Sequence, residues 1–151
     1  MKRLKLLGCL FLLQVLVVIP ALTLVAEAPV SPGVQTNDRE NDSKVESFIK
    51  LAREYREAGK FEEALKQLNI ASEKFAQKEY RKKLHIGLSD LHFEWALSLK
   101  KKYDYANAIK HYEMAYAIDK NYRPKNAAID LNEIGELYYA LGQIQKTIEY
   151  F

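Results

Sequence analysis

From residue 44 onward the chain alternates between large apolar residues at helical spacing and small residues at fixed offsets, and the alternation is written three times. The first copy reads Phe48-x2-Leu51-Ala52-x2-Tyr55-x3-Gly59, then Ala64-x3-Leu68-x2-Ala71. The second reads His92-x2-Trp95-Ala96-x2-Leu99-x3-Tyr103, then Ala108-x3-Tyr112-x2-Ala115. The third reads Leu131-x2-Ile134-Gly135-x2-Tyr138-x3-Gly142, then Thr147-x3-Phe151. Apolar residues at steps of three and four mark one buried face of an α-helix. Each copy therefore predicts two helices joined by a tight turn.

The small residues fix how the two helices meet. Ala52, Ala96 and Gly135 sit opposite Ala64, Ala108 and Thr147, and helix axes approach to roughly 8–10 Å only where side chains at the crossing are small. Gly59 and Gly142 fall where the first helix must end, because glycine takes the left-handed cap conformation at little cost. Tyr103 holds that place in the middle copy and predicts a different or more strained turn. With these positions the pattern resembles the tetratricopeptide repeat, a helix-turn-helix unit of about 34 residues. The resemblance implies an all-α fold, with antiparallel hairpins stacked as a short right-handed α-solenoid of two full units and a partial third. The repeats fall at about 45–78, 89–122 and 128–151.

Ala64 to Ala108 spans ten residues more than one repeat, and the surplus is residues 79–88. Its apolar positions Tyr80, Leu84, Leu88, Leu91 and Trp95 continue a helical stripe. The segment therefore predicts a helical extension, one helix from about 79 to 102. The other helices are expected at about 44–58, 61–76 and 105–119, followed by a third pair starting near Asn126. Asp42 or Ser43 is a candidate cap for the first helix, with Glu46 completing a capping box after Ser43. Residues 27–43, with two prolines, a glycine and no apolar periodicity, predict a disordered linker.

Residues 1–26 carry a different pattern. Lys2, Arg3 and Lys5 precede an apolar run over residues 6–19, then Pro20 and small residues. This is the layout of a signal peptide cleaved after Ala26, or of an uncleaved signal anchor, since residues 6–26 are long enough to span a bilayer. Either way the remainder is expected to be exported, to a bacterial periplasm or the extracytoplasmic face of the inner membrane. Contact with membrane is then expected only through an uncleaved N-terminal segment. Leu6-Leu7-Gly8-Cys9 has the wording of a lipoprotein box, but the apolar run follows Cys9 instead of leading to it. Cys9 is the sole cysteine, so the chain past residue 26 has no disulfide, thiol nucleophile or cysteine-based metal site.

Charge removes one class of partner. The chain has 23 Lys and Arg against 20 Asp and Glu, and the three basic residues before the apolar run leave the rest formally neutral. Nothing resembles the basic stripe that nucleic acid requires.

No motif for catalysis, cofactor or metal stands out. His85, His92 and His111 lack metal-ligand spacing, and His92 takes a packing position of its repeat. There is no glycine-rich phosphate loop and no nucleophile elbow. Lys100, Lys101 and Lys102 complement the end of a helix dipole. The chain is therefore expected not to be an enzyme.

The resemblance implies a binding surface instead. In tetratricopeptide arrays the first helices of the repeats line a concave groove, and the matching positions here are Ile49, Arg53 and Arg56, then Phe93, Leu97 and Lys100, then Asn132, Glu136 and Tyr139. An apolar strip flanked by both signs of charge suits a peptide or a partner helix. The carboxylate clamp of chaperone-binding repeats is absent, because Ile49, Arg53, Glu94, Ile129 and Glu133 stand at its positions, and a carboxylate would meet two anionic groups. The expected function is a non-catalytic protein-binding scaffold. The alternative is the sensory or docking arm of a larger enzyme, such as a caspase-like peptidase or a sensor kinase. The third copy stops at Phe151, short of its last turns, which leads to the expectation of a fragment whose open apolar edge promotes weak self-association.

Overall fold

A computed structural model describes residues 32–151. Six helices follow one another: α1 Pro32–Glu57, α2 Phe61–Lys74, α3 Lys78–Lys101, α4 Tyr105–Tyr122, α5 Pro124–Ala140 and α6 Ile144–Tyr150. α1 packs on α2, α3 on α4, and α5 on α6, while α3 also meets α1 and α2, and α4 meets α5. Every helix thus touches only its near neighbours in sequence, which is the all-α solenoid of tetratricopeptide-like hairpins.

The repeat is written into the backbone of the turns. Lys60 N–H donates to Tyr55 O at 2.8 Å, Asp104 N–H to Leu99 O at 3.0 Å, and Gln143 N–H to Tyr138 O at 2.9 Å. One residue earlier, Gly59, Tyr103 and Gly142 donate to Arg56, Lys100 and Tyr139. These paired bonds make the same Schellman cap at the same register three times. Gly59 and Gly142 have φ of 71°, and Tyr103 has φ of 63°. The middle turn is therefore strained but not different, since its tyrosine is held in the left-handed region that a Cβ disfavours. Tyr103 is 80% exposed, so its side chain offsets little of this. Tyr103→Gly should raise stability by about 1 kcal/mol, measurable by urea unfolding; a loss of stability would mean that the ring holds the turn.

The crossings are packed as expected. Ala52 and Ala64 are buried in one cluster with Val45, Leu68, Leu84 and Leu91. Ala96 and Ala108 are buried in a second, with Ile109, Tyr112, Ile134 and Leu137. In the third hairpin Gly135 is buried beneath Phe151, whose Cζ lies 2.9 Å from where a Cβ would stand. Ile144, Ile148 and Phe151 remain exposed on the α6 side.

Two expectations are corrected. The disordered linker assigned to residues 27–43 does not hold from Pro32, where α1 begins; residues 27–31 lie outside the described residues. Proline is tolerated at the first helical position, and the long α3 supplies a partner for the added turns. Tyr80 Oη donates to Asp38 O at 3.3 Å, and Lys83 Nζ bridges Asp42 at 2.7 Å and Glu46 at 2.9 Å. Asp42 and Ser43 are therefore mid-helix and cap nothing. The extra residues 79–88 and the extra start of α1 are two halves of one feature. α5 likewise begins at Pro124 and not near Asn126, again with proline in the first turn.

The signal peptide or anchor of residues 1–26 lies outside the described residues. Among those described, no helix is long and apolar enough to cross a membrane.

Candidate functional site

The nine groove positions do not form one trough; seven of them are distributed over three depressions that follow α3, and Leu97 and Asn132 line none. Ile49, Arg53 and Arg56 line the first, a cavity of about 30 Å³ between α1, α2 and α3, together with Asp90 and Leu91. Phe93 lines the second, of about 170 Å³, where α3, the end of α4 and the start of α5 meet. Lys100, Glu136 and Tyr139 line the third, of about 460 Å³, closed by Leu137, Thr147 and Phe151. Leu97 packs against the second core cluster and lines none of the three. Asn132 is exposed and donates to Glu136 at 3.1 Å.

Lys100 is more than a helix-end charge. Its ammonium bridges Glu133 at 2.7 Å and Glu136 at 3.0 Å, tying α3 to α5. Burial works against the charged lysine, but the two carboxylates hold its pKa above the ordinary value. The same contact holds the Glu136 carboxyl below its ordinary value. Tyr112 Oη also donates to Glu133, at 3.2 Å, and burial followed by that carboxylate pushes its hydroxyl up.

The second depression contains residues that the sequence pattern did not single out. Arg123, at the α4–α5 junction, donates to Asp119 at 2.8 and 3.1 Å, to Asp90 at 2.7 Å and to Ser89 Oγ at 3.1 Å. Asp119 and Ser89 are buried. Asp130 faces the same cavity at 1% exposure, and neither of its carboxylate oxygens has a hydrogen-bond partner. Burial, and next to it the Asp119 charge, raise its pKa to about 7. One signal was available: Ala127, Asp130, Ile134 and Leu137 step along one face of α5, so a carboxylate stands inside a core stripe.

The histidines make contacts between neighbouring helices. His92 and His111 approach with Nδ1 atoms 3.0 Å apart, a distance that requires the proton on one Nδ1 and a free lone pair on the other. His111 stacks on Trp95 at 4.2 Å, and Trp95 on Phe61 at 5.4 Å, which knits α2, α3 and α4 together. Burial, then the neighbouring His111, lower the His92 pKa to about 4. His85 Nδ1 pairs with Tyr122 Oη at 3.1 Å. Among the described residues, no group of three or more His, Cys, Asp or Glu is disposed to hold a metal ion.

No family model matches the chain, and no curated protein matches it. Two solved structures are similar, both of a Podosopora anserina putative kinesin light chain with nearly identical TPR-like repeats, one of them a point-substituted form. Each is 24% identical over 72% of this chain, with a TM-score of 0.40. The chain spans about half the length of these structures, 52% and 51%.

Proposed function

We propose that this chain is a non-catalytic protein-binding scaffold that takes a peptide or a partner helix along the face lined by α1, α3 and α5. The observation that carries the reading is the exposure on that face of apolar side chains beside fixed charges. Tyr139, at a groove position, is 67% exposed, and Ile129, one turn of α5 before Asn132 and Glu133, is 50% exposed. The Lys100–Glu136 pair lines the same depression as Tyr139, and Arg53 and Arg56 line the first depression. Exposed aromatic and aliphatic side chains framed by oriented charges suit recognition of a polypeptide, the apolar groups giving affinity and the charges giving register. Function of this kind resides in the face and not in the fold, because the same repeat stack serves many partners.

Selection of a random peptide display library on the full chain tests this. Selected peptides should lose at least about tenfold in affinity on Arg53→Glu and on Tyr139→Ala. Both positions are exposed, so the changes leave the core intact. Peptides indifferent to both changes would place the binding surface elsewhere and overturn the reading.

A further inference from the structure

We propose that the cavity where α3, α4 and α5 meet is a specificity pocket for the cationic tip of a lysine or arginine side chain from the bound polypeptide. This deepens the scaffold reading and rests on it, because Asp90 lines both this pocket and the depression of Arg53 and Arg56, and half-exposed Ile129 lines its wall.

The charges in the pocket are unbalanced. Asp90, Asp119 and Asp130 supply three carboxylates against the single guanidinium of Arg123. That guanidinium directs its four side-chain hydrogen bonds to Asp119, Asp90 and Ser89. None reaches Asp130, whose two oxygens stay unpartnered at 1% exposure. A buried acceptor without a donor is costly, the more so when charged, so an incoming donor that carries positive charge recovers an energy already lost. The cavity, at about 170 Å³, is several times the roughly 30 Å³ that one water occupies. It therefore has room for a guanidinium or ammonium group with part of its stem. Phe93 and half-exposed Ile129 form its apolar wall, where the methylenes of such a side chain lie while its tip meets acids. Among the described residues no acids are grouped to hold a metal ion, whereas several hydrogen-bond donors spread over a plane match carboxylates contributed by three helices.

Protons compete with the cation for Asp130. Asp90 faces it from α3, Asp119 from α4, Arg123 from the α4–α5 junction and Glu133 from its own helix. With its carboxyl raised to about 7, cation binding should strengthen from about pH 6 to about pH 8.

Nuclear magnetic resonance on the full chain tests the pocket with Nα-acetyl-arginine amide and Nα-acetyl-lysine amide. The uncharged Nα-acetyl-citrulline amide serves as the isostere of the first. The cationic probes should shift the amides of residues 126–130 with Kd on the order of 1 mM. The citrulline probe should not, and Asp130→Asn should weaken the cationic probes by about tenfold or more. Equal shifts from citrulline, no shift at about ten times that concentration, or unchanged binding by Asp130→Asn would each overturn the pocket. Display peptides that still require Arg53 and Tyr139 would then leave the scaffold reading standing. Conversely, probe binding without any peptide dependence on those residues would sink the scaffold reading alone.

Discussion

Asp130→Asn should make the protein more stable at about pH 8, by about 2–3 kcal/mol, and less stable at about pH 4, by about 1–2 kcal/mol. The carboxyl has an ordinary pKa of 3.8 that burial and the Asp119 charge raise to about 7 in the fold. A raised carboxyl means that between those two values the folded chain holds a proton that the unfolded chain has released. Stability therefore falls as pH rises through that window, and the loss is complete above about pH 7. At about 1.36 kcal/mol per pKa unit the full loss is on the order of 4 kcal/mol. Asparagine removes the charge but leaves an unpartnered amide in the cavity, at a cost of about 1–3 kcal/mol. Only part of the loss is therefore recovered. Urea unfolding at the two pH values measures it. Equal stability changes at both would show that Asp130 ionises normally.

The same variant should unmask a second group. His92 is 8% exposed, and its pKa falls from 6.5 to about 4. Here the unfolded chain holds the extra proton, so stability falls as pH drops from about 6.5 toward 4. His92 and Asp130 thus push in opposite directions over the same interval, and the natural chain should show little pH dependence from this pair. With Asp130 replaced, the His92 slope stands alone, and stability should rise by roughly 1.4 kcal/mol per pH unit across that interval.

The pattern of apolar and small residues made most of the fold legible. The three turns, the buried crossings and the long α3 follow from it, because steps of three and four and a glycine at a fixed offset are local signals. What escaped was long-range. The helical character of residues 32–43 depends on Tyr80 and Lys83, 42 and 41 residues beyond their partners Asp38 and Asp42, and nothing in its own composition announces it. The groove residues fared unevenly for a similar reason. Arg53 and Tyr139 face solvent as their repeat positions imply, but Leu97 packs against the core and Lys100 is committed to Glu133 and Glu136. The Asp90–Asp119–Asp130–Arg123 cluster joins three helices, so no single stretch of sequence contains it. Asp130 alone left a trace, as a charge on an apolar stripe.

Ala108→Leu should destabilise the chain by about 1–3 kcal/mol. Ala117→Leu, the same change at an exposed position of the same helix, should matter by less than about 0.5 kcal/mol. Ala108 is fully buried at the crossing of α3 and α4, with Ala96 buried across from it and Tyr112 and Ile134 in the same cluster. Interiors are packed nearly as densely as organic crystals, so the added isopropyl group has no void to enter. The helices must separate, or neighbouring side chains must leave their preferred rotamers. Separation is transmitted further, because α4 also carries α5 and the Arg123 junction. Leucine at Ala117 extends into solvent and, being a good helix former, leaves α4 undisturbed. For a chain of about 150 residues the first change should lower the melting temperature by roughly 2–4 °C per kcal/mol. Equal melting temperatures for the two variants would show that Ala108 does not stand at a helix crossing, and with it the repeat register of the second hairpin would fall.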